Sequence, residues 1–317
     1  MAENPAIPIK KSAFFRVRLT GGGKVTSEDL RMGLTLFMPG FLILIFMGTY
    51  PILNVLLLAF QQRPMFGGNE VSWVGLQNFT AVLSSEIFWV ALKNDLIFTM
   101  ATVLIQTILG LLVAMLLHQN FWGRNVFRSL VLFSYVFPTA VAALIWRFML
   151  SDSVGIIYHT IRASGLAIPN TWFSSTNTAM ATVIMIAVWK FFPFMVINIL
   201  ARLQTIDEQL YEAAKVDGAN PFQAFRHITL PSIMPVVWIV MLLRTIWTFN
   251  NWDVIALLTK GGPLDSTRTL PLLVYDSMFS GLSMGRAAAI AFIMTLILLV
   301  AMIVYLKAYE YSEEKLA

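Results

Sequence analysis

Six apolar stretches, each long enough to cross a bilayer as a helix, dominate the sequence: residues 33–60, 96–117, 129–150, 179–201, 232–252 and 287–306. A helical crossing takes about 20 residues. The stretches are continuous rather than alternating, which excludes the strands of a membrane barrel. Hydrocarbon accepts only helices and closed barrels, because every backbone polar group must be paired internally. Composition agrees, with 58% of the 317 residues hydrophobic and 12% charged, whereas a soluble domain carries roughly a quarter charged residues. The first stretch begins after more than thirty residues. It outlasts the apolar region of a signal peptide and ends without a small-x-small cleavage site, so it reads as a span.

The expected fold is therefore all-α: a polytopic membrane protein with six transmembrane helices. A basic tail covers residues 1–32, the transmembrane domain 33–306, and a short C-terminal tail 307–317. Six crossings put both termini on one side. That side collects Lys10, Lys11, Arg16, Arg18, Lys24, Arg31, Arg124, Arg128, Arg202, Lys215, Arg226, Lys307 and Lys315. The other side holds only Arg63, Lys93, Arg162, Lys260, Arg268 and Arg286. By the positive-inside rule both termini are cytoplasmic. The net charge of +5 is then a matter of topology and does not signal a nucleic-acid partner.

Enzyme chemistry finds no constellation. There is no cysteine, hence no disulfide, thiolate or thiolate-bound metal. His118, His159 and His227 are scattered without a partner at metal-ligand spacing. The run Gly21-Gly22-Gly23-Lys24 lacks the Gly-x4-Gly-Lys-Ser/Thr pattern of a phosphate loop. ATP hydrolysis is not expected of this chain, and no cofactor is.

The loop over residues 202–231 carries the functional argument. Thr205 and Glu208 stand at the spacing of a capping box ahead of a short helix through Leu210–216. Gly218 is placed to end that helix in a left-handed conformation. Asn220-Pro221 restarts the chain as N-cap and first-turn proline. A second helix over 222–228 follows, which Pro231 is expected to stop. Leu210, Tyr211, Ala213, Ala214, Val216, Phe222 and Phe225 are too many apolar groups for thirty residues to bury alone. Two readings stand on these residues: a patch for a protein partner, or an amphipathic surface resting on lipid headgroups.

Glu212-Ala213-Ala214, then Gly218, then Ile228-x-Leu230-Pro231 resembles the EAA loop of binding-protein-dependent ABC importer permeases. The segments Trp73-Val74-Gly75-Leu76-Gln77-Asn78-Phe79 and Leu258-Thr259-Lys260-Gly261-Gly262-Pro263 resemble the carbohydrate-uptake branch, in particular its maltose-type first permease subunit. So do Ser266-Thr267 and the run from Trp247 to Asp253. The resemblance implies a bacterial inner-membrane permease in a heterodimer with a second permease. It further implies two ATPase subunits that hold ATP and magnesium, an extracytoplasmic solute-binding protein, and a sugar as cargo. It assigns ATPase coupling to Glu212, Ala213, Ala214, Asp217, Gly218 and Asn220. The outer loops are short, so contacts that some relatives make through an inserted domain do not transfer.

A substrate wall is expected on two spans. In the fourth, Ala187, Lys190, Phe191, Phe194 and Asn198 share a helical face, and Pro193 removes the donor for the Trp189 carbonyl and is expected to kink the helix. In the fifth, Arg244, Thr248 and Asn251 share a face. Aromatics, amides and charges suit a sugar, and the resemblance places the sugar cavity on these faces. Two midplane cations equally fit an anionic sugar. Each cation has a plainer role open to it as well, in satisfying kink carbonyls or an acid on the partner permease. A secondary transporter would need central acids for ion coupling, and Asp95 and Asp253 stand only at span edges.

Overall fold

The computed structural model describes residues 27–63, 71–151, 153–165 and 171–314, with side chains from residue 31 onward. The basic residues at positions 10–24, the Gly21–23 run and Lys315 lie outside the described residues. The chain divides into two units, Met1–Leu53 and Asn54–Ala317.

In the first unit, helix α1 (Ser27–Ala59) begins and continues past its boundary through Pro39 and Pro51. Two proline-interrupted turns survive as helix where a bilayer offers the backbone no competing water. Phe37 stacks on Phe41 and Phe46 on Tyr50, one turn apart in each case.

In the second unit, the end of α1 meets a two-residue antiparallel ladder of β1 (Gln61–Gln62) with β2 (Ser72–Trp73). Then come α2 (Gln77–Leu83), α3 (Glu86–His118), α4 (Arg124–Val136), α5 (Thr139–Met149), α6 (Ile156–Ala163) and α7 (Ala179–Leu203). After these follow α8 (Glu208–Val216), α9 (Pro221–Ala224), a π turn (Phe225–Thr229), α10 (Leu230–Phe249), α11 (Asp253–Leu258), α12 (Leu270–Phe279) and α13 (Met284–Glu314). Among the described residues five helices are apolar and long enough to cross a membrane: those beginning in α1, α3, α7, α13, and α9 continued through α10. The expected third span is instead two helices, α4 and α5, bent by 95° at a short break. Pro138 explains it. It supplies no N–H to α4, and it forces Phe137 into extended backbone at φ −63°, ψ 141°. The helix-stopping proline thus lies in the third expected span, whereas α7 runs unbroken through Pro193.

The bundle is built around α3 and α7, which lie side by side, with α10 packed on both. Their closeness depends on Gly110. A Cβ there would sit 2.4 Å from the Cβ of Met195, well inside van der Waals contact. Gly110→Leu is therefore expected to destabilise the bundle by about 1–3 kcal/mol or more through overpacking. Thermal unfolding of the detergent-solubilised protein, followed by tryptophan fluorescence, checks this. Gly48→Ala, whose added Cβ meets nothing within 4 Å, is the silent control.

Between α11 and α12 the backbone takes positive φ at Lys260, Gly261, Leu264 and Asp265. Gly261 is required there on two counts, its φ of 84° and a Cβ position 2.9 Å from Leu272. The hydroxyls of Thr259 and Thr267 meet at 2.7 Å, and Thr267 donates to the Gly262 carbonyl at 2.8 Å. Arg268 pairs with Asp265 at 2.7 Å and also with Asp276. Asn94 of α3 donates to the carbonyls of Asp265 and Arg268, tying this turn to the bundle. Next to it, Asp95 is buried on α3, and neither carboxylate oxygen has a hydrogen-bond partner among the described residues.

Candidate functional site

The helices of the 202–231 loop form where expected, with different caps. Asp207, not Thr205, caps α8, accepting from the Gln209 N–H at 3.0 Å. Thr205 is turned the other way, its hydroxyl donating to the Arg202 carbonyl at 2.8 Å. Both threonine and aspartate are good N-caps, and the backbone at Asp207 is the extended one that capping needs. Gly218 ends α8 at φ 79° as expected. Asn220 and Pro221 open α9, and Gln223 completes a reciprocal capping box, with bonds of 2.9 and 2.8 Å. The Asn-x-x-Gln spacing ahead of α9 was the available signal for that capping box.

Pro231 does not end the second helix. The five-residue π turn widens the backbone ahead of it, and α10 continues directly from there. A π turn shifts the hydrogen-bond ladder by one residue and so absorbs a proline that an α-helix interior would not.

Arg202 Nε donates to the Ser232 carbonyl at 2.8 Å, which ties the end of α7 to the start of α10, and within the loop the hydroxyls of Tyr211 and Thr229 meet at 2.8 Å. Tyr211 thus turns inward. What faces out is Leu210, Val216 and Phe222, of which Val216 is 87% exposed. Glu212, Ala213, Asp217, Gly218 and Asn220 are exposed beside them, and Ala214 is half-buried. Glu212 has no ion-pair or hydrogen-bond partner among the described residues. A cavity of about 360 Å³ lies between α8 and α9, lined by Ala214, Asp217, Gly218, Ala219, Gln223 and His227.

Inside the bundle, Phe191, Phe194 and Arg244 converge as expected. The Arg244 guanidinium lies 4.5 Å from the Phe191 ring centroid, and Phe194 meets Trp247 edge to face at 5.1 Å. Arg244 is buried; its Nε donates to Gln106 Oε1 at 3.0 Å and its Nη2 to Thr248 Oγ1 at 3.3 Å. Gln106 in turn donates to the Ala187 carbonyl at 3.1 Å. Fully buried on α3, Gln106 is the central residue that the sequence reading did not single out. A lone glutamine in an apolar span was the available signal. Tyr135 joins the aromatic wall from α4, 6.3 Å from Phe194. Tyr135 and Trp247 are exposed, so the wall opens on the surface of the chain.

Three expected site residues behave differently. Lys190 is buried, and its Nζ donates to the carbonyls of Ser134 and Tyr135 at 3.0 and 2.9 Å. It satisfies carbonyls at a helix break, though the break is the one at Pro138 and not at Pro193. Asn198 donates to the Phe194 carbonyl of its own helix at 2.7 Å. Asn251 is not on the Arg244 face, because α10 ends at Phe249. Its Oδ1 accepts from the Val254 N–H at 3.0 Å and so begins α11.

Residues 106–316 match the family described as binding-protein-dependent transport system inner membrane component, and the chain belongs to it. It is 34% identical over 296 residues to the Escherichia coli inner membrane ABC transporter permease protein YcjO, covering 91% of this chain and 97% of that one. It is 32% identical over 291 residues to the trehalose/maltose transport system permease protein MalF of Thermococcus litoralis, covering 92% and 98%. Among solved structures it shares the fold of a chain of a bacterial ABC transporter that imports the acidic polysaccharide alginate. That likeness has a TM-score of 0.76 at 22% identity, over 90% of this chain and 98% of that one. The chain is thus a multi-pass inner-membrane permease component.

Proposed function

We propose that this permease forms one half of the pathway for a sugar, paired in the membrane with a second permease. Two separate ATPase subunits, holding ATP and magnesium, drive it, and an extracytoplasmic solute-binding protein delivers the cargo. Both termini are cytoplasmic, as is the 202–231 loop. Glu212, Ala213, Ala214, Asp217, Gly218 and Asn220 form the surface that docks the ATPase. Phe191, Phe194, Asn198, Arg244 and Thr248 form this chain's share of the sugar wall, with Tyr135 and Trp247 as its rim.

One observation carries the reading. A single unbroken helix, α7, bears Phe191 and Phe194 and leads within a few residues into α8 with Glu212, which is exposed and has no partner among the described residues. A displacement of α8 would therefore reach the wall along a rigid rod. The wall suits a neutral sugar, whose apolar ring faces stack on aromatic rings while its hydroxyls reach polar groups. An anionic cargo is less well served. Lys190 is engaged with two carbonyls, and Arg244 with Gln106 and Thr248.

The test is ATPase activity of the chain purified with its genomic neighbours in lipid. The neighbouring binding protein is added, loaded in turn with each member of a panel of mono- and disaccharides and uronic acids. Stimulation by one loaded neutral sugar is the expected result. Stimulation by a uronic acid alone would replace the neutral-sugar reading. Hydrolysis indifferent to every loaded ligand would overturn the sugar assignment.

A further inference from the structure

The third span breaks at Pro138, and broken helix ends in a bilayer are costly because the freed carbonyls have no water to turn to. In an unbroken helix the Ser134 carbonyl would receive the N–H of residue 138, and proline has none. The Tyr135 carbonyl lies in the same last turn of α4. Lys190 Nζ donates to both, at 3.0 and 2.9 Å, and sits 5.5 and 5.4 Å from the ring centroids of Tyr135 and Phe191. Among the described residues no acid pairs with it. The ammonium, with three donors and no acceptor, thus stands in for the backbone donors that the break removes, and its positive charge suits a helix C-terminus.

The other half of the break is held by the same turn of α7. Trp189 meets Trp146 of α5 edge to face at 5.3 Å, while Phe194 stacks on Tyr135 of α4. At its far end α5 is tied by Arg147, which donates to the Leu257 carbonyl of α11 at 3.4 Å. One short stretch of α7, residues 189–194, therefore grips both arms of the bent pair. Arg202, in the last turn of the same helix, lies twelve residues beyond Lys190, about 18 Å away along its axis, and is bonded to Ser232 at the start of α10.

We propose that Lys190 is a positioning residue that fixes the α4–α5 break to α7, so that displacement of the 202–231 loop changes the angle between α4 and α5. It acts on the pathway through those carbonyls and does not bind the cargo. The nucleotide-linked part rests on the ATP-driven reading above; the fixing of the break does not.

The chain has no cysteine, so paired spin labels can be placed on it without removing thiols of its own, the other subunits being prepared without reactive cysteines. Leu130→Cys on α4 and Leu144→Cys on α5 are both exposed positions, one on each side of the break. Electron–electron distances are measured in lipid nanodiscs on the full complex, nucleotide-free and trapped with ATP and vanadate. With Lys190 present, a narrow distribution that shifts on trapping is expected. Lys190→Met is expected to broaden the distribution and lose the shift. Lys190→Arg, which can still donate to both carbonyls, is expected to keep both and serves as the deciding variant should the methionine protein not assemble. A narrow, shifting distribution in Lys190→Met, or a broad one in Lys190→Arg, overturns the proposal. A narrow distribution that fails to shift even with Lys190 present would instead count against the ATP-driven reading, leaving the fixing role measured by the width alone.

Discussion

Replacing Gln106 by leucine is expected to cost the folded bundle more than any change on its surface. The side chain is fully buried between α3, α7 and α10, where its Oε1 accepts from Arg244 and its Nε2 donates to the Ala187 carbonyl. Leucine fills similar space and supplies neither partner. The guanidinium of Arg244 is then left with Thr248 and the faces of Phe191 and Trp247 among the described residues. A buried donor stripped of its acceptor costs about 1–3 kcal/mol, and more when it is charged. Thermal unfolding of the purified protein should therefore shift down clearly in Gln106→Leu.

The double variant Gln106→Leu/Arg244→Met separates stability from function. Removing both partners together leaves no unpaired charge, and such replacements are often neutral or stabilising. The double variant is thus expected to recover most of the lost thermal stability, a positive coupling in the mutant cycle. Ligand-stimulated ATPase activity should stay low, because the wall has lost Arg244. Recovery of both stability and stimulation would mean that Arg244 is only a packing element.

The second large effect lies outside the membrane. Glu212→Ala is expected to leave thermal stability within about 0.5 kcal/mol of the parent, since the side chain is exposed and makes no bond among the described residues. Alanine is also the better helix former at that position in α8. Ligand-stimulated hydrolysis in the assembled complex should nevertheless collapse. Truncating one partner of a charge pair that becomes buried on association costs about 2–5 kcal/mol, and even the lower figure weakens docking about 30-fold. Co-purification of the ATPase and its stimulated rate are the two readouts. Full stimulated activity in Glu212→Ala would remove Glu212 from the docking surface. The exposed Val216 and Phe222 would then be the groups to change next.

The membrane character, most of the spans and the loop helices were legible because each rests on local rules. About 20 apolar residues suffice to mark a span, and Gly218 and Asn220-Pro221 mark helix ends by their own backbone preferences. The same local rules misjudged Pro231 and passed over Pro138. Pro138, Pro193 and Pro231 remove one N–H apiece, yet one breaks a span, one stays inside α7, and one follows a π turn into α10. What separates them is whether neighbouring helices can take over the freed carbonyls and at what angle, and that information is not carried by the residue itself. Asn251 failed for a related reason: its helical spacing from Arg244 was sound, but α10 ended two residues before it.

By itself, then, the sequence determined that the chain spans a membrane, where it exposes a two-helix loop, and which aromatic and cationic residues cluster along α7 and α10. Helical period and transfer from water decide those features, and both act within a few residues of chain. Only the tertiary structure decided what each buried polar group does. Lys190 meets Ser134 and Tyr135 across 55 or more residues of chain, and Arg244 meets Gln106 across 138. In hydrocarbon an ionised group must find a partner wherever the fold brings one near, so its role is set by packing at long range and not by its neighbours in sequence.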